Sequence, residues 1–220
     1  MTRIRTQEHR NMVPDIYLQR ALALLESGQR KILGIAGAPG SGKSTVAEAL
    51  VKALGPRAMV VPMDGYHLAN VELARLGRAG RKGAPDTFDV WGYVSLLERI
   101  KHAKPGETVY APVFRREIEE PIAGAIPISA DTQLIITEGN YLLMEDAGWN
   151  NVRPLLDEAW YVGVNDNLRR QRLVARHMFF GRTEQAAKDW VQNTDEPNAV
   201  RIAASRHRAD LTVEWPEITG

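Results

Sequence analysis

Four short apolar runs punctuate the chain, and helical spacing fills much of the sequence between them. "KILGIAG" (residues 31–37), "AMVVPM" (58–63), "QLIIT" (133–137) and "EAWYVGV" (158–164) are nearly continuous in apolar side chains, as expected of strands covered on both faces in a parallel sheet. Residues 44–54, "STVAEALVKAL", place apolar groups at three- and four-residue intervals and stop before Gly55-Pro56. The same spacing predicts helices over 90–103, with Asp89 as N-cap, and over 167–180, 183–193 and 197–207. Ahead of the first run, residues 15–27 set Ile16, Ala23 and Leu24 at helical spacing and end against Gly28, which suits a C′ position. Together these elements predict a doubly wound α/β fold with a mainly parallel sheet. Residues 108–129 interrupt the rhythm with three prolines and alternating side chains. They read as a hairpin excursion in which Pro112 is tolerated only near an edge.

Composition narrows the class. A chain of 220 residues, 44% hydrophobic and 25% charged, is long enough for a sizeable core and ordinary for a globular protein. One domain over 1–220 is expected, with an N-terminal helix (15–27), the excursion (108–129) and a lid region (165–196). A net charge of +1 argues against a broad nucleic-acid footprint. The absence of cysteine removes disulfides, thiolate metal sites and a thiol nucleophile. The opening "MTRIRTQEHR" is basic with no apolar segment behind it, and no run reaches membrane-spanning length. A cytoplasmic protein with no membrane partner is the expectation. The five tryptophans are assigned to the core by default, and a homodimer is left open.

The candidate chemistry begins at "GAPGSGKST" (37–45), where Gly37, four residues, then Gly42, Lys43 and Ser44 reproduce the phosphate-loop spacing. Glycines let successive backbone N–H groups turn inward around phosphate oxygens, and the following helix aims its positive end at the same point. Gly37, Ala38, Pro39, Gly40, Ser41, Gly42, Lys43, Ser44 and Thr45 are therefore the predicted nucleotide cradle. Lys43 would reach the outer phosphates and Ser44 would ligate Mg²⁺.

A phosphate loop alone does not separate a kinase from a switch or an ATPase. Asp64 closes the second predicted strand in "VVPMDGYHL", one strand over from the loop, where an acid either accepts a hydroxyl proton or helps hold Mg²⁺. Glu138 ends "LIIT" in "TEGNY" and is the second metal candidate, against the plain alternative of a loop acid. Arg169, Arg170, Arg172, Arg176 and Arg182 cluster in "NLRRQRLVARHMFFGR". Arg169, Arg172 and Arg176 share one helix face, so they could neutralise transferring charge from a lid or form a solvated surface. A GTPase would carry a guanine-reading Asn-Lys-x-Asp, which "NTDE" (193–196) does not match.

Together "GAPGSGKST", "MDGYHL", "RKGAPDTFD", "APVFRREIEEPI", "ITEGNYLL" and "RLVARH" resemble the phosphoribulokinase/uridine kinase family, which includes bacterial pantothenate kinases. The likeness runs from about Lys31 to the C-terminus and is nearest the bacterial kinases named for fructose transport systems. It implies a P-loop fold of the nucleoside kinase type with a helical lid, using ATP and Mg²⁺ to phosphorylate a hydroxyl of a small molecule. By that resemblance Lys43, Asp64, Arg172 and Arg176 are catalytic, and Ser44 and Glu138 hold metal. Asp64, Tyr66, His67, Arg81, Lys82, Asp86, Arg115 and Asn198 are candidate substrate contacts. The sequence departs from the uridine kinase form after Asp64, where it reads "GYHL", and has no cysteine pair for the thiol regulation of plant phosphoribulokinases.

Overall fold

In a computed structural model, residues 13–215 and 218 are described. The basic N-terminal decapeptide lies outside them. The apolar runs become strands β1 (Lys31–Ala36), β2 (Ala58–Pro62), β5 (Leu134–Gly139) and β6 (Glu158–Val162), joined by a short β7 (Leu211–Val213). They form one wholly parallel sheet in the order β2-β5-β1-β6-β7. Every residue of β5 is buried, which accounts for a run without polar alternation.

Helices cover both faces. One side packs α1 (Asp15–Leu25) and α2 (Lys43–Leu54) over Leu33, Ile35, Leu134 and Ile136. The other packs α4 (Val90–Lys101) over Ile32, Val61 and Ile135, sharing that core with Tyr141 and Trp149. A short α3 (Asn70–Arg75), not foreseen, precedes α4. At about 25 cal/mol per Å² of apolar surface, these two layers supply the main driving force for folding.

Local rules explain most boundaries. Asp89 caps α4 by accepting from the Gly92 N–H at 2.9 Å, and Asn165 caps the lid helix α5 (Asp166–Phe179) through Asn167 and Leu168. The phase of α1 differs from expectation. Its buried face is Tyr17, Ala21 and Leu25, a four-residue ladder, while Ile16 is 64% exposed. Gly28 takes a left-handed φ of 78° but lies two residues beyond the cap at Glu26.

The two helices expected over 183–193 and 197–207 form one helical run instead: α6 (Glu184–Trp190), a π turn (Val191–Asp195) and α7 (Glu196–Ala204). Pro197 falls in the first turn of α7, where its missing N–H costs little. The excursion is a separate antiparallel hairpin, β3 (Val109–Arg115) and β4 (Glu120–Ile128). Its register slips between Ala111 and Val113, so Pro112 sits in a bulge that needs no ladder donor.

Candidate functional site

The carboxyl ends of β2, β5 and β1 meet at one cavity of about 430 Å³. After β1 the chain enters the glycine loop. Gly40 and Gly42 adopt φ of 79° and 96°, which side chains with a Cβ rarely tolerate. A Cβ on Gly40 would stand 2.9 Å from the Arg169 carbonyl oxygen, so the lid helix lies directly on the loop. Ser41 Oγ is buried without a hydrogen-bond partner. Helix α2 starts at Lys43 with no side-chain cap on its first N–H groups. Open N–H groups, an orphaned hydroxyl and glycine-only backbone fit an anion cradle.

Lys43 is buried and its Nζ donates to the Ala38 carbonyl at 3.1 Å and to Asn140 Oδ1 at 2.8 Å. Burial lowers its pKa to about 8, and the field of Glu138 only partly opposes that. Glu138 is pushed up in turn, by burial first and by the negative charge of Asp64 second. Each charge is therefore costly before ligands arrive. A polyphosphate would stabilise the ammonium, and a divalent cation the carboxylate. Ser44 Oγ donates to Glu138 Oε1 at 3.3 Å, which places two hard oxygen donors together. Among the described residues there is no cluster of three or more His, Cys, Asp or Glu suited to a metal. A divalent cation that takes one or two protein oxygens and completes its shell from phosphate and water could use Ser44 and Glu138.

The sheet order corrects one expectation. Glu138 is on the strand next to β1, whereas Asp64 is two strands away, on a 3₁₀ turn (Met63–Tyr66) just past β2. Glu138 stands in register with Pro62 on one side and Ile35 on the other, so the two acids still share the crevice. Asp64 Oδ2 accepts from Arg116 Nη2 at 3.2 Å. Arg116 lies at the hairpin tip and was absent from the sequence-based set.

The cavity wall gathers Pro39, Gly40, Lys43, Ser44, Asp64 and Glu138 with His67, Lys82, Arg176 and Asn198. Five of the expected substrate and lid residues are not on it, nor are Gly37, Ala38, Ser41, Gly42 and Thr45 of the loop. Arg115 ends β3 exposed, and its neighbour Arg116 faces the cavity. Arg81 and Asp86 pair with each other outside it. Tyr66 packs its ring on Tyr93, 5.5 Å between centroids, and burial pushes its hydroxyl up to about 12. Arg172 is half-buried beside the loop, its Nη1 3.8 Å from where a Cβ on Gly42 would stand.

The arginine cluster divides. Arg169 is 2% exposed and bound to Asp166 and Glu196, and Arg170 also pairs with Glu196, so these two brace the lid. Among the described residues Arg172, Arg176 and Arg182 make no ion pair. Arg176 reaches the cavity, and burial lowers its pKa, with the neighbouring Arg116 adding to the effect. The π turn presents Asp195 to His177 Nε2 at 2.9 Å on the same wall. Asn140, two residues past Glu138, also escaped sequence reasoning, although its place in "TEGNY" put it beside a candidate metal ligand.

No helix among the described residues is long and apolar enough to cross a membrane. The sequence profile of the Phosphoribulokinase / Uridine kinase family matches residues 32–216. A "putative uridine kinase" of Schizosaccharomyces pombe is 32% identical over 211 residues, covering 91% of this chain and 89% of that protein. A Bacillus subtilis pantothenate kinase is 31% identical, covering 82% of this chain and 66% of its own length. The crystal structure of a "putative fructose transport system kinase" from Silicibacter sp. TM1040 superposes with a TM-score of 0.81 at 40% identity, covering 91% of this chain and 98% of that one. The chain belongs to the phosphoribulokinase/uridine kinase family and is an ATP-dependent small-molecule kinase.

Proposed function

We propose that the protein transfers the γ-phosphoryl group of ATP, as its Mg²⁺ complex, to a hydroxyl of a small metabolite. The observation that carries this reading is a single cavity onto which Lys43, Ser44, Glu138 and Asp64 all open. Lys43 and backbone N–H groups of the glycine loop would hold the β- and γ-phosphates. Ser44 and Glu138 would hold Mg²⁺, which when bound neutralises charge on the phosphates. Asp64, on the far side of Glu138 from the loop, would accept the hydroxyl proton as the new O–P bond forms. The bond from γ-phosphorus to the bridging oxygen breaks, and its electron pair leaves on ADP. Arg176 and Arg172 would offset charge building on the transferred group.

A panel of hydroxylated metabolites with coupled ADP detection tests the proposal. ADP release dependent on one acceptor class supports it. ADP release that no acceptor stimulates would make water the acceptor and contradict it.

A further inference from the structure

The acceptor end of the cavity holds more positive charge than the nucleotide chemistry uses. In the sheet order β2 and β5 lie on one side of β1, with β6 and β7 on the other. Asp64, His67, Lys82 and Arg116 therefore lie on the β2 side, away from where α5 covers the loop.

Lys82 Nζ donates to Asn70 Oδ1 at 2.6 Å and to the carbonyl of Glu119, both uncharged oxygens. An ammonium has three donors, so one remains. Burial lowers its pKa, and the fields of Glu120 and Glu119 only partly oppose that. Arg116 spends one nitrogen on Asp64, and the rest of its fork makes no other hydrogen bond among the described residues. Both cations stand over Phe114, the ammonium 5.2 Å and the guanidinium carbon 5.9 Å from the ring centroid. Both therefore border the same ring on the cavity wall.

Of the acids nearby, Glu119 is on the same wall but makes no ion pair with either cation among the described residues, and the others have partners of their own. Glu120 accepts from the Asn70 N–H, Asp195 binds His177, and Glu138 faces Ser44. His67 adds an acceptor. Its Nδ1 is 2.8 Å from the Asp64 carbonyl, which fixes the proton there and leaves Nε2 with a lone pair. Burial lowers its pKa, which favours the neutral ring.

We infer that the phosphate acceptor carries an anionic group, a carboxylate or a phosphate, held by Lys82 and Arg116 over Phe114, with a further hydroxyl donating to His67 Nε2. This rests on the phosphotransferase reading above. An anion there would take the spare donors of both cations in a partly desolvated site, where charge-assisted hydrogen bonds are strongest.

The test is calorimetry on the protein filled with Mg²⁺ and a non-hydrolysable ATP analogue, using acids and their neutral twins: glycerate with glycerol, pantothenate with panthenol, ribose 5-phosphate with ribose. At least one acid should bind ten-fold or more tightly than its twin. Lys82→Met and Arg116→Met should each lower that affinity at least ten-fold and leave analogue affinity within about three-fold, and Lys82→Arg should restore most of it. Equal binding of a neutral twin, no binding by any acid, or equal loss of analogue affinity overturns the inference. Turnover of a neutral acceptor alone would leave the kinase reading standing and remove the anion site. Acid binding without a phosphorylated product would do the reverse.

Discussion

Replacing Asp64 by Asn removes a charge while keeping shape. Its ion pair with Arg116 is partly solvent-exposed at both ends, with side chains 27% and 45% accessible, so the lost pair costs at most about 1 kcal/mol of stability. Asp64 is two strands from the phosphate loop, and the affinity for ATP should change by less than about three-fold. The chemistry should suffer far more. A positioned general base contributes ~10²- to 10⁴-fold, or about 3–6 kcal/mol of barrier at about 1.4 kcal/mol per decade. Steady-state turnover with the acceptor found in the panel, set beside ATP affinity by calorimetry, separates the two effects. A kcat within ten-fold of the parent would refute the role of Asp64 as base. A fall in ATP affinity matching the fall in kcat would place it on the nucleotide instead.

Lys43→Met should raise the melting temperature of the nucleotide-free protein, since burial disfavours the ammonium more than its two hydrogen bonds repay. A net gain of about 1–2 kcal/mol is a few degrees in a chain of this size, and the same variant should lose at least ten-fold in ATP affinity. A lower melting temperature would show that the bonds outweigh the desolvation. On one helix, Arg176→Ala should lower kcat about 10- to 1,000-fold with little change in stability. Arg169→Ala should instead destabilise the fold by about 1–3 kcal/mol, because it removes a buried side chain and one of the two arginines that hold Glu196. Chemical denaturation and kinetics on the pair check that contrast, which fails if both variants behave alike. Asp89→Ala removes the α4 cap and should cost about 1 kcal/mol, read as a small drop in melting temperature without a change in ATP affinity.

The sheet was legible because buried parallel strands must be apolar on both faces, and the loop because only glycine and small residues suit its backbone. The cap at Asp89 was legible for a similar local reason. What escaped was set by tertiary contact. The phase of α1 depends on which face meets β1 and β6, and a short apolar stripe fits more than one phase. Sheet order is a long-range property, so Asp64 could be placed at the crevice but not two strands from the loop. Arg115 and Arg116 are adjacent, and only the hairpin register, with Arg115 opposite Glu120 as the last pair, sends the second of them to the cavity. The arginine cluster read as one set because Glu196, which ties down two of its members, lies 26 residues beyond Arg170.

Phosphorus NMR of the protein with Mg²⁺, ATP and the acceptor panel tests the central claim most directly. The account predicts a phosphomonoester signal growing in step with ADP and abolished by Asp64→Asn. Inorganic phosphate as the sole product, or no loss of ATP with any acceptor, would contradict it.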